Sequence, residues 1–169
     1  MSFRYLLDAN AYIQAKNLHY RMEIVPGFWD WLDIQMGRDE VGSIDMVFDE
    51  LTAGGDLLAD WAGVRKVRML AVDDESTQSI FADVANFVMA HPVYKEPHTS
   101  FFLDGADPWL IAGAAASGAT VVTHENRVPA DSKRPKIPNV CEEFGVPYLS
   151  TFDLMGKLSA RLVLESESV

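Results

Sequence analysis

Four carboxylates stand out by their place along the chain. Asp8 directly follows the apolar Tyr5-Leu6-Leu7, Glu50 lies in SIDMVFDEL, Asp107 heads DPWLIAGAAASGATVVT, and Glu125 follows that stretch in THEN. Taken singly, each has an ordinary structural explanation. Asp8, between a strand and a helix, can cap the first free amides of that helix. Asp107 before Pro108 is a favoured helix opening, with Asp as the cap and Pro in the first turn. Glu50 falls at the border of the apolar face formed by Ile44, Val47, Phe48 and Leu51, whereas Asp49 points nearly opposite it. Glu125 alone reads as a loop residue, and Asp104 and Asp131 are weaker candidates in neighbouring loops. As a set the acids say more. Four carboxylates brought together repel one another, and a hard, oxygen-seeking cation such as Mg2+ or Mn2+ is the usual remedy. No Cys or His pair has zinc spacing. Histidine catalysis by His98 and His124 is a rival without support from spacing.

The elements that must position these acids alternate. Phe3 to Leu7 predicts a buried strand, and Ala9 to Lys16 a helix. Pro26 opens a second helix, GFWDWLDIQM, and a third is expected to start near Ser43 as its cap and end near Gly54-Gly55. Leu57 to Trp61 adds a turn or two, and Val67 to Val72 is a candidate strand. Asp74 to Ala90 is the longest helical pattern, with Ile80, Val84, Phe87 and Val88 at helical spacing. Residues 92–103 carry no clear pattern. Asp107 to Ser117 is an Ala-rich helix stopped by Gly118, and Ala119 to Thr123 is a buried strand. A polar loop spans residues 125–137, followed by helix from Asn139 to Phe144, strand from Val146 to Leu149 and a closing helix from Thr151 to Leu162. Strands separated by helices imply a parallel sheet covered on both faces. Ligands of such sheets bind beyond the carboxyl ends of the strands, where Asp8 and Glu125 share a rim.

The chain has 169 residues, 49% of them apolar and 23% charged, which suits one domain with a core of its own. A single domain over residues 1–162 with a fraying tail over 163–169 is the expectation. Cys141 is the only cysteine, so no intrachain disulfide can form and a reducing compartment fits. No segment has the length of a secretory signal or membrane span, which points to a cytoplasmic protein that does not engage a membrane. The net charge of −11 weighs against nucleic-acid binding, since phosphates reward basic surfaces. The positive charge is bunched, however, at Arg65, Lys66 and Arg68 and again at Arg127, Lys133, Arg134 and Lys136. The second group follows Glu125 closely and can contact flanking phosphates, or it is a solvated loop.

In order and context these residues resemble the PIN-domain nucleases, a family that includes the VapC-type toxins of bacterial toxin–antitoxin pairs. YLLDANAYI is similar to the family's opening strand, Asp and apolar helix. DPWLIAGAAASGATVVTHEN looks like its second hallmark, an Asp, an Ala-rich helix, Gly, an apolar strand, Thr and a polar or acidic residue. SIDMVFDEL supplies the helical Glu between them, and the resemblance covers about residues 3 to 152. It implies a PIN-like three-layer α/β/α fold around a central, mainly parallel sheet of about four or five strands. It implies Asp8, Glu50 and Asp107 as the core acids and metal ligands, Glu125 in the fourth position, and Asn10 and Thr123 as supporting polar groups. The implied activity is Mg2+- or Mn2+-dependent hydrolysis of RNA, leaving 5′-phosphate and 3′-hydroxyl ends. An antitoxin protein and a second copy of the chain are implied partners. Glu125 departs from the Asp or Asn more usual in the family, and the aromatic Phe28 to Trp31 and the loop RVPADSKRPKIPNVC mark a distinct subfamily. A catalytically retired, PIN-like RNA- or protein-binding module is the alternative. A haloacid-dehalogenase-type phosphatase fits less well, because Asp8-Ala9-Asn10 lacks the second Asp of that type.

Overall fold

The computed structural model describes residues 2–165. Five strands, β1 (Tyr5–Leu7), β2 (Val41–Ile44), β3 (Met69–Leu70), β4 (Thr120–Val122) and β5 (Tyr148–Leu149), form one sheet in the order β3-β2-β1-β4-β5. Every pairing is parallel, with Leu6 opposite Gly42 on one side and Val121 on the other. The helices are α1 (Ala9–Gln14), α2 (Pro26–Gly37), α3 (Asp45–Thr52), α4 (Leu57–Gly63), α5 (Glu75–Ala90), α6 (His98–Asp104), α7 (Asp107–Ser117), α8 (Ile137–Glu143) and α9 (Thr151–Lys157). A π-helical turn over Ala15–His19 prolongs α1.

Successive side chains of a strand point to opposite faces, yet every residue of β1 and β2 is buried. Both faces of the sheet are therefore covered, giving the expected α/β/α layering. Helix α7 packs across β2 and β4 and is flanked by α5 and α8, while α1, α3 and α4 form a second group. Leu6, Val41, Leu110, Ile111, Val121 and Ile137 are wholly buried at the centre. Gly118, at φ 72°, ends α7 in the left-handed conformation that favours glycine. Trp29 is buried and Trp31 and Trp61 pack against the core, so these tryptophans serve the interior.

Several boundaries differ from the sequence reading. Ser43 does not cap a helix. It lies inside β2, and its hydroxyl donates to the Leu7 carbonyl across the sheet at 2.6 Å. The segment VGSI shows no long apolar run because Gly42 sits beneath the Phe3 ring, where an added Cβ would lie 2.5 Å from it. The candidate strand at Val67 to Val72 shrinks to Met69–Leu70, because Lys66–Arg68 forms a 3-10 turn that leaves Val67 exposed. The unassigned residues 92–103 contain most of α6, and α8 starts two residues earlier than expected, with Pro138 in its first turn. The closing helix stops at Lys157. Residues 166–169 of the expected tail lie outside the described residues.

Candidate active site

The sheet order places a topological switch point between β1 and β4. The chain leaves β1 toward β2 on one side, and β4 returns on the other, which opens a crevice beyond their carboxyl ends. Asp8 follows β1 there, and its amide donates to the Val122 carbonyl at 3.0 Å. Both explanations of Asp8 hold at once. Its Oδ1 accepts the Ala11 amide at 2.6 Å, capping α1, and its Oδ2 accepts the Thr123 hydroxyl at 2.7 Å. Thr123 also accepts the Glu125 amide at 3.0 Å, so this buried hydroxyl ties the ends of β1 and β4 together. Burial pushes the Asp8 carboxyl up to about 6 against the pull of these hydrogen bonds, and the charges of Glu125 and Glu50 add to the rise.

Asp107 was expected to cap α7, but Ala106 takes the cap position and Asp107 is the first helical residue. The reason lies in α3. Glu50 reaches across to accept the Ala106 amide on Oε1 at 3.0 Å, which satisfies the backbone just ahead of the helix from outside. The carboxylate of Asp107 is thereby left to line a cleft of about 190 Å³ with Phe101, Glu125, Arg134 and Lys136. Burial, followed by the charges of Glu125, Asp8 and Glu50, pushes its pKa up to about 7. Two acids from different elements thus stand in one another's field.

Glu125 is engaged elsewhere. Its Oε1 accepts Lys136 Nζ at 2.7 Å and its Oε2 accepts the Ile137 amide at 2.9 Å, so it caps α8 from across the loop. Lys136, expected as a phosphate contact, is this acid's counter-ion. Arg127 is likewise held by Glu142, while Asn139 exchanges two hydrogen bonds with the Val128 backbone. Arg134 and Lys133 are exposed, and Arg134 Nε meets His98 Nε2 at 3.4 Å. The other basic group is structural, since Arg65 pairs with Asp33 and lies over the Trp61 ring. Asn10 and Asp104 are exposed. Buried Cys141, close enough to feel Asp107, has its thiol pushed up to about 12 and is inert.

Among the described residues no three Asp, Glu, His or Cys side chains converge as ligands around one point. The donor chemistry nevertheless fits a hard divalent cation. Magnesium is commonly held by one or two carboxylates together with waters and phosphate oxygens, and each carboxylate oxygen of Asp8 keeps a second lone pair. Asp8 and Asp107 are the residues that would hold the ion, with Glu50 and the Lys136-paired Glu125 beside them. His98 and His124 line separate clefts, so nothing pairs them for acid–base work. No local pattern signals the Lys136–Glu125 pair or the Glu50–Ala106 bond, whose partners are 11 and 56 residues apart.

A parallel five-stranded sheet flanked by helices, with acids at its switch point, is a PIN-like α/β architecture. The chain belongs to the family described as domain of unknown function (DUF4411), which matches residues 5–162. The structure is similar to a chain in the crystal structure of VapBC2 from Rickettsia felis bound to a DNA fragment from their promoter. The TM-score is 0.53 over 86% of this chain and 97% of that one, at 13% sequence identity, a likeness of fold alone. No curated protein matches the sequence. Among the described residues no helix is long and apolar enough to cross a membrane.

Proposed function

We propose that this chain is a ribonuclease that hydrolyses RNA phosphodiester bonds at the Asp8–Asp107 site with Mg2+ or Mn2+, and that it is the toxin of a toxin–antitoxin pair. One observation carries the reading. Two carboxylates from different elements, the buried Asp8 and the half-buried Asp107, stand at the switch point, and each is held above its usual pKa by desolvation and by neighbouring acids. A fold is stabilised by neutralising such groups, so their persistence there calls for a functional reason. A bound divalent ion supplies stabilisation of charge on the phosphoryl oxygens and a more acidic water. The chain's own residues set the geometry. Thr123 and the Ala11 amide fix the Asp8 carboxylate, and Glu50 positions the start of α7 and with it Asp107. Arg134, on the rim of the Asp107 cleft, is placed to meet a flanking phosphate. The PIN-like fold supports the assignment, and its likeness to a chain of a VapBC structure supports a protein partner, which would place an Arg or Lys among the acids.

The Lys136–Glu125 pair favours a second reading, a retired site that binds RNA without cutting it. End-labelled single-stranded RNA incubated with Mn2+, Mg2+ or EDTA, with wild type and Asp107→Asn, decides between them. The expected result is cleavage that is lost in EDTA and in the variant, with 5′-phosphate and 3′-hydroxyl products. RNA binding without cleavage at any metal concentration would establish the retired module. Cleavage that survives EDTA and leaves cyclic phosphates would replace metal chemistry with histidine chemistry.

A further inference from the structure

Beside the acid site lies a second cleft, of about 420 Å³, lined by Thr123, His124, Glu125, Tyr148, Ser150 and Phe152 among others. Glu125 lines both clefts. Three aromatic rings meet at this second cleft from three separate segments. His19 comes from the π-helical turn after α1, His124 from the end of β4 and Phe152 from the first turn of α9. The Phe152 ring lies 5.2 Å from His19 and 5.4 Å from His124, and the two imidazoles are 6.4 Å apart. Phe152 is 50% exposed, and its ring neighbours are these imidazoles.

We infer that Phe152, met edge-on by His19 and at a tilt by His124, is a stacking platform for an unpaired nucleobase of the strand held at the acid site. The inference rests on the nuclease reading and names what that site accepts. On one side of Glu125 is the cleft carrying the exposed Arg134, which suits a phosphate; on the other is the half-exposed Phe152 ring. A ligand offering a phosphate to one side and a flat aromatic face to the other is a nucleotide chain. A base within a duplex already has both faces stacked, so the platform selects single-stranded RNA or a loop. Stacking of this kind tolerates any base, which suits an acidic protein with few cations to spare.

The test uses the full chain and a short single-stranded RNA carrying one 2-aminopurine, whose fluorescence reports stacking. Binding is followed in an Asp107→Asn background to prevent turnover, and cleavage in the otherwise native chain. Phe152→Ala is expected to weaken binding about tenfold and to abolish the fluorescence change at one position of the label. Phe152→Tyr should restore both, and His19→Ala should show a smaller loss. In cleavage, Phe152→Ala should raise KM and leave kcat near its original value. Because Phe152 is at the surface, unchanged thermal unfolding of each variant confirms its fold. Equal RNA affinity for wild type and Phe152→Ala overturns the platform while cleavage persists. RNA binding through Phe152 without cleavage instead overturns the nuclease reading and keeps the platform. No RNA binding by wild type overturns both.

Discussion

Asp8→Asn should make the metal-free protein more stable and at the same time blind to divalent cations. In the folded chain the Asp8 carboxyl is raised from 3.8 to about 6, chiefly by burial. An acid whose folded pKa lies above its unfolded value contributes stability that is present below about pH 4 and lost as pH rises through about 6. At about 1.36 kcal/mol per pH unit, the ionised group costs the fold about 3 kcal/mol at pH 7.5. Asparagine keeps the shape and removes that cost. It caps helices as well as aspartate does, so its Oδ1 can still accept the Ala11 amide. Its Nδ2 can donate to Thr123, whose hydroxyl turns to accept. For a chain of this length each kcal/mol is worth about 2–4 °C, so the variant should melt about 6–12 °C higher in EDTA. Wild type filled to 100 times its dissociation constant with Mn2+ should gain about 2.7 kcal/mol, and the variant almost nothing. The assay is thermal unfolding of both proteins in EDTA and across a Mn2+ titration at pH 7.5. If the variant melts below wild type in EDTA, or still responds to Mn2+, the reasoning about a strained, metal-seeking carboxylate is wrong.

The same sign applies to Asp107, pushed up to about 7, so metal-free wild type should become more stable between pH 8 and pH 5, and the Asp8→Asn/Asp107→Asn double variant should show a flatter profile. Urea denaturation in EDTA at each pH measures this. Lys136→Met removes the counter-ion of a Glu125 side chain that is only 15% exposed. The metal-free chain should lose between about 1 kcal/mol, typical of exposed pairs, and about 3, typical of buried ones. Mn2+ should then recover more stability in this variant than in wild type, as read by unfolding with and without the ion. Gly42→Ala should cost about 1–3 kcal/mol in urea denaturation, because the Phe3 ring must move from above β2.

The parts of the fold that could be read in the sequence are those encoded locally. The run YLL followed by Asp8 marks β1 and the cap of α1, and the Ala-rich stretch, Gly118 and TVV mark α7 and β4 in order. What went unread depends on distant partners. β2 looks like a helix start because Ser43 resembles a cap, and only its bond to Leu7 gives it a place in the sheet. Of the four acids, the place of Asp8 and Glu125 on one rim followed from topology, but the hold of Lys136 on Glu125 did not, since it depends on how the loop folds back. His19, His124 and Phe152 each look unremarkable in sequence and acquire meaning when three segments meet.

The hold of Glu125 on Lys136 and Ile137 also closes the segment between them into a loop, with an acid as its latch. The outer part of that loop is fastened independently, through Asn139 to Val128 and through Lys95 to Lys133. A movement of Glu125 toward Asp107 would therefore release Lys136 and the start of α8 and leave Arg134, which bonds Ser132 and His98, where it is.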